Sequence, residues 1–402
     1  MHSDSDTRNG GAGLTLDEAT PATTDRGDLA LVLSGGGARG AYQAGVLRGL
    51  ARRFPDLRFP ILTGVSAGAI NIALLARHRG TPVEAADALA KLWSDLSPER
   101  VFDVDVRGLL GNMGRWGLQL AGGGMRASRV RGLVDTDPLW ELLRGALDCS
   151  EGEMTGIEHN LRRGTLRAVA LSTTSYTTGQ SIIWVQGRGI DTWERPQRRS
   201  VNTRLGVEHV MASAALPLFF PAVRIGTHWY GDGGVRLTAP LSPALHLGAH
   251  KILAVSTRYE RTFAEADVPE VSGYPPPAQV LGLLYNAIFL DLIDQDAIRM
   301  ARINRLLRTL PPEHRDGMRP VELLVLRPSR DLGTLAGAYE PRLPRPFRLL
   351  TRGLGTRETE SPDMLSMIMF QSDYMQRLIE LGEEDTERRG DELAAFLESN
   401  GE

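Results

Sequence analysis

The sequence predicts an α/β domain with a mainly parallel central sheet flanked by helices, followed by a mostly helical C-terminal extension. Three observations carry this prediction. Between Asp28 and Thr257, short β-like runs alternate with stretches of helical apolar spacing. The first two runs, LALVL and RFPILTG, each meet glycine just before a helix, as the βα units of a layered sheet do. Beyond SGYPPPAQ the periodicity is chiefly helical, with one strand-like run, VELLVL. The expected units are a polar tail over 1–27, an α/β domain over 28–257 and the extension over 258–402.

Taken in order, LALVL (29–33) is a short apolar strand, and AYQAGVLRGLARRF after it sets Val46, Leu47, Leu50 and Phe54 at helical spacing. RFPILTG is the next strand and AGAINIALLAR the next helix. Val101–Gly132 is irregular, rich in glycine and arginine, with Trp116, Leu118 and Leu120; a loop of this length is either a covering or membrane-touching segment or a flexible insertion. LRAVALSTT, SIIWVQ and KILAVST read as strands rich in β-branched residues. Val280–Leu307 is a long helical pattern, Leu365–Leu381 a further one, and the acidic end EEDTERRGDELAAFLESNGE a solvated helix or frayed end.

Composition excludes several classes. A net charge of -3 gives no general attraction to nucleic acid. One cysteine, Cys149, excludes an internal disulfide and any CxxC site. No cluster of metal-ligand spacing is present, so neither metal nor cofactor is expected, and activity should be independent of calcium. The first 27 residues lack the basic and apolar regions of a signal peptide. The uncharged runs Phe59–Ala76 and Val271–Leu290 are broken by Pro, Gly and polar residues and are too short to span a membrane. A cytoplasmic location is expected. The arginines of 107–131 and 342–357 offer peripheral contact with anionic headgroups, or are plain solvated faces.

Two glycine-bounded motifs carry chemistry. In TGVSAG, Gly64-x-Ser66-x-Gly68 stands between a strand and a helix, the setting a nucleophile elbow requires. A serine at so sharp a turn needs flanks without side chains, and the helix after it aims its N-terminal amides at the reaction centre. In WYGDGGVRLTAP, Asp232 lies among Gly231, Gly233 and Gly234, so a reacting group can approach it closely. His246 and His250 follow Asp232 in the order a Ser-Asp-His triad would take, which keeps a histidine-using α/β-hydrolase esterase open. The loop SGGGARG also fits G-x-G-x-x-G at Gly35, Gly37 and Gly40. A nucleotide-binding module, however, needs an acidic residue at the end of the second strand. Asp56 comes before that strand, which ends at Thr63.

Together, G-G-G-x-R-G, G-x-S-x-G about thirty residues on, the block MASAALPLFFPAV and the distant D-G-G resemble the patatin-like phospholipase family over about Leu29–Ser256. The resemblance implies that family's layered fold and a lipid acyl hydrolase, of phospholipase A, lysophospholipase or carboxylesterase type. It implies a serine–aspartate dyad without histidine, Ser66 as nucleophile and Asp232 as base, supported by Gly64, Gly68, Gly233 and Gly234. The glycine-rich loop Gly35, Gly36, Gly37, Ala38, Arg39 and Gly40 would form the oxyanion hole, chiefly through amides around Gly36–Arg39. Arg39 either anchors this loop or meets a headgroup. The implied partner is a phospholipid or other acyl-ester lipid, with no nucleic acid. The chain departs from the family at Thr238 and Ala239, where an asparagine often precedes the proline.

Overall fold

The computed structural model describes residues 28–102, 132, 134–150, 152–269, 271, 273–290, 292–343, 348 and 362–399. The expectations placed on the 1–27 tail, on Trp116, Leu118 and Leu120, and on most arginines of 107–131 and 342–357 lie outside these residues.

Ten strands form the main sheet: β1 (Asp28–Leu33), β2 (Ile61–Val65), β3 (Ala168–Ser175), β4 (Ser181–Gly187), β5 (Glu194–Arg195), β6 (Arg198–Asn202), β7 (Val223–Ile225), β8 (His228–Asp232), β9 (Ala249–Val255) and β10 (Glu322–Leu326). Their order is β10-β9-β1-β2-β3-β4-β6-β5, with β8 pairing β3 and β7. The first five strands along this order run parallel. The strand periodicity sorts side chains onto two faces. Leu31, Leu33, Leu62, Leu171 and Val255 enter one core, while Ala30, Val32, Ile61, Ala170 and Ile252 enter the other.

Helices cover both faces. The ones needed below are α1 (Gly40–Arg53), α2 (Ala67–Arg77), α3 (Pro82–Ser94), α4 (Asp137–Ala146), α5 (Val207–Ser213), α6 (Pro277–Phe289), α7 (Leu292–Thr309), α8 (Asp363–Ile368) and α9 (Ser372–Arg388). Helix α3 starts on a capping box, Thr81 with Glu84, and Pro82 stands at its first turn. The pattern Val280–Leu307 divides into α6 and α7 because its two halves serve different cores. Phe289 and Leu290 join a cluster over the site, whereas Ile293 and Met300 pack beneath the sheet. Among the described residues no helix is long and apolar enough to cross a membrane.

The region after residue 258 shares the main core. Strand β10 extends the sheet beside β9. Helix α9 packs on α1 at glycine contacts: a Cβ at Gly45 would stand 2.0 Å from the Ile379 carbonyl oxygen, and one at Gly382 2.3 Å from that of Tyr42. Over 383–399 the acidic C-terminal stretch is almost wholly helical and only partly solvated. Its Asp385 is buried, accepting hydrogen bonds from the Tyr42 hydroxyl at 3.2 Å and the Ser329 amide at 2.9 Å.

Register positions the site. Parallel pairing of β1 with β2 (Leu33 opposite Gly64) brings the loops after both strands to one edge. Val65 stands opposite Ser172 on β3, and Asp232 opposite Thr173 on the same strand. Ser66 and Asp232 therefore meet over neighbouring residues of β3.

Candidate active site

Ser66 occupies the turn between β2 and α2 at φ 56°, ψ -128°, a conformation L-residues avoid at a cost of about 1–3 kcal/mol. The turn is possible only because its flanks lack side chains. A Cβ at Gly64 would lie 2.6 Å from the Gly68 carbonyl oxygen, and one at Gly68 would lie 2.4 Å from that of Leu33. The Ser66 amide donates to Ser213 Oγ at 3.0 Å, and that hydroxyl donates to the Ser172 carbonyl at 2.7 Å. Ser213 thus ties the elbow to α5 and β3. Ser213 falls in the MASAALP block, where its one signal in the sequence is a lone hydroxyl in an apolar run.

Asp232 ends β8 and is fully buried. Its backbone is held on both sides, its amide donating to the Ala215 carbonyl at 3.1 Å and its carbonyl accepting from Thr174 Oγ1 at 2.9 Å. The Gly234 amide donates to Oδ1 at 2.9 Å, while Oδ2 is buried with no hydrogen bond of good geometry. Burial pushes the carboxyl from 3.8 up to about 7, opposed by the neighbouring Ser66 hydroxyl and the Gly234 amide. The serine therefore lies close enough to act on the carboxylate, yet their contact is looser than a formed hydrogen bond. That is common where catalytic contacts tighten only with substrate. Gly233 and Gly234 have to be bare: a Cβ on either would come within 2.2 Å of the Ser172 carbonyl oxygen or 2.3 Å of the Phe289 ring.

The glycine loop faces the serine. A Cβ at Gly35 would sit 3.0 Å from Ser66 Cβ. Gly36 (φ 145°) and Gly37 (φ 56°) take conformations that favour glycine, and a Cβ at Gly37 would fall 2.2 Å from the Met367 carbonyl oxygen. The Arg39 amide is used on the Gly36 carbonyl at 3.1 Å. The amides of Gly35, Gly36, Gly37 and Ala38 have no acceptor among the described residues, so donors of this run are open to an anion, Gly36 and Gly37 among them. Ala38 and Gly40 continue the loop into α1, with Gly40 packed against Trp93 and Ala67.

Arg39 points inward and is 2% exposed. Its guanidinium donates to Ser366 Oγ at 2.7 Å and pairs with Asp363, both on α8. Asp363 in turn accepts from the Asn286 amide of α6. Arg39 therefore anchors the loop to the C-terminal region. Beneath the loop runs a buried relay in which Gln43 donates to the Ser34 carbonyl (2.8 Å), Asn71 to Gln43 (2.9 Å) and Trp93 to Asn71 (2.7 Å). It gives every member a partner and joins α1, α2 and α3 under the loop.

A narrow apolar cavity reaches Ser66. Leu139, Leu143, Leu216, Phe220 and Met367 line it together with Gly37 and Ser66. Three residues of AALPLFFPAV (Ala214, Leu216 and Phe220) thus serve the cavity wall. A second cleft, lined by Leu47, Leu50, Phe59, Leu62 and His78, includes neither Ser66 nor Asp232. His250 lies at the start of β9 and His246 ends the short helix Ser242–His246 just before it, at the end of the sheet opposite Ser66. His246 stacks on Trp193 with ring centroids 4.7 Å apart, and burial, then Arg195 and Arg198, pull its pKa down to about 4. The structure brings neither histidine to the serine.

A family model described as patatin-like phospholipase matches residues 31–245, more than half of the chain. The chain belongs to the patatin-like phospholipase family. No curated protein sequence matches it. Among solved structures, a patatin-like chain of this shape is similar to VipD from Legionella pneumophila, with 14% identity, 86% of this chain and 67% of that one covered, and a TM-score of 0.35. It is also similar to human GIVD cytosolic phospholipase A2, solved with methyl gamma-linolenyl fluorophosphonate. That match has 14% identity, 93% and 59% coverage, and a TM-score of 0.44. The type III effector protein ExoU follows with 17% identity, 87% and 53% coverage, and a TM-score of 0.30. The chain spans 59% of the length of the human enzyme and 53% of that of ExoU. For this patatin-like chain the α/β fold, its mostly parallel sheet and its helical C-terminal region agree with the sequence expectation.

Proposed function

We propose that this patatin-like chain hydrolyses acyl esters of lipids, with Ser66 as nucleophile and Asp232 as general base. The observation that carries this reading is the buried Asp232, its Oδ2 unsatisfied and its pKa raised to about 7, beside a serine on a strained elbow. A carboxylate at its ordinary pKa is too weak a base for a hydroxyl; one near 7 removes the proton with more driving force and is still substantially ionised at neutral pH.

In this reading Asp232 Oδ2 takes the Ser66 proton as Oγ bonds to the ester carbonyl carbon. The carbonyl oxygen becomes an oxyanion, met by the amides of Gly36 and Gly37. Collapse breaks the acyl–oxygen bond, and Asp232 returns the proton to the departing alcohol. Water then repeats the sequence on the acyl-Ser66 ester: it gives a proton to Asp232, attacks the carbonyl and frees the fatty acid as Ser66 regains its proton. The apolar cavity at Ser66 suits the acyl chain.

The test is hydrolysis of nitrophenyl esters, triacylglycerol, lysophospholipid and phospholipid by the parent chain, Ser66→Ala and Asp232→Asn, with fluorophosphonate labelling of the serine. Both variants should lose about 10⁴-fold or more on every substrate cleaved. Full activity in either variant, or loss caused instead by His246→Ala or His250→Ala, refutes the dyad.

A further inference from the structure

Among the described residues sixteen large apolar side chains stand exposed, and eleven of them fall between residues 263 and 318. Exposed apolar residues scattered singly need no explanation, but a concentration of this kind marks an interaction surface. Six of the eleven stand on the consecutive helices α6 and α7. Helix α7 packs by one stripe, Ile293, Met300 and Leu307, and turns Ile298, Ile303 and Leu306 to solvent. Between them stand Arg299, Arg302, Arg305 and Arg308, with no acidic residue from Ala297 to Pro312. Arg302, Arg305 and Arg308 make no ion pair among the described residues. Helix α6 has no charged side chain and exposes Val280, Leu283 and Leu284. Its inner side lays Phe289 on Gly234, next to Asp232, and donates the Tyr285 hydroxyl to the Pro217 carbonyl at 2.8 Å.

We propose that the outward face of α7, continued by α6, docks the chain on a bilayer containing anionic lipid. Charge and apolarity select this occupant together. Arginines among exposed aliphatic side chains meet headgroup phosphates while the aliphatic groups enter the acyl boundary, and the long arginine stems reach past them. A second copy of the chain fits poorly, since a two-fold contact would press two sets of arginines together over a stretch, 297–312, that carries no acid to oppose them. Docking by this face stands apart from the hydrolytic reading; delivery of ester lipid to Ser66 along α6 rests on it.

The test uses the full chain carrying Ser66→Ala, so that vesicles stay intact, sedimented with phosphatidylcholine vesicles or with phosphatidylcholine mixed with phosphatidylglycerol. Binding should favour the anionic vesicles tenfold or more and fall with salt. An arginine at an anionic surface is worth about fivefold in partition, so Arg302→Gln with Arg305→Gln should weaken binding about 30-fold. Ile298→Ser with Leu306→Ser should weaken it on both kinds of vesicle. Equal binding to both vesicle types, or variants that bind like their parent, overturns the proposal. So does an oligomer, measured by light scattering, that Leu306→Ser dissolves. With Ser66 intact, these surface variants should cleave a soluble nitrophenyl ester at the parent rate. A parent chain that cleaves no ester yet binds anionic vesicles sinks the hydrolytic reading and leaves docking standing.

Discussion

Replacing Asp232 by asparagine should make the fold more stable at alkaline pH while removing activity. The carboxyl rises from 3.8 to about 7 on folding, chiefly through burial. The sign follows from linkage: a group with a raised folded pKa contributes its full stability below its unfolded value and loses it as pH climbs through the folded one. About three pH units at about 1.4 kcal/mol each make ionised Asp232 cost about 4 kcal/mol above pH 7. The asparagine has no such loss. Its Oδ1 keeps the Gly234 amide, but its NH₂ falls where Oδ2 now has no partner, a burial that costs about 1–3 kcal/mol. The variant should therefore be the less stable chain near pH 4 and the more stable near pH 8, by about 1–3 kcal/mol. Urea unfolding followed by tryptophan fluorescence at both pH values measures the difference. A gap between variant and parent that does not move with pH would refute a raised Asp232 pKa.

Four further outcomes follow. The kcat/KM of ester hydrolysis should rise with pH through about 7, because the base must be ionised; a profile flat from acid to neutral pH contradicts it. Ser213→Ala leaves the Ser66 amide without its acceptor, and at about 1–3 kcal/mol it should lower kcat about 10- to 100-fold with little change in KM, with Ser213→Thr recovering part of the loss. Gly45→Ala should destabilise the fold by about 3 kcal/mol, read from its denaturation midpoint, since α9 would have to move away from α1. EDTA should leave hydrolysis unchanged in a matched assay; a loss restored by calcium would overturn metal-free chemistry.

The anchoring of Arg39 gives the C-terminal region a direct bearing on the site. Arg39 and the glycine loop are held by Asp363 and Ser366, and the Met367 carbonyl closes on Gly37. Helix α6 closes the other side, with Phe289 against Gly234. Both halves of the site thus lean on residues beyond 258, where the sequence carries no recognisable motif. Contacts made by one carbonyl or one ring leave no repeating pattern in the chain.

The elements legible in the sequence are those whose physics is local. The elbow at Ser66 and the turns at Gly36, Gly37 and Asp232 need residues without side chains at fixed neighbours, so their requirements are written in consecutive letters. Alternating strand and helix periods likewise foretold the sheet, because each period reflects which face a side chain must bury. Other features depend on residues far apart in the chain. Which group receives the Ser66 amide, where the Arg39 guanidinium goes, and that the histidines stand at the wrong end of the sheet were decided by register and packing alone. The pKa of Asp232 belongs with them: burial raises it, and burial exists only after β8 has paired with β3 and α6 has closed over the turn.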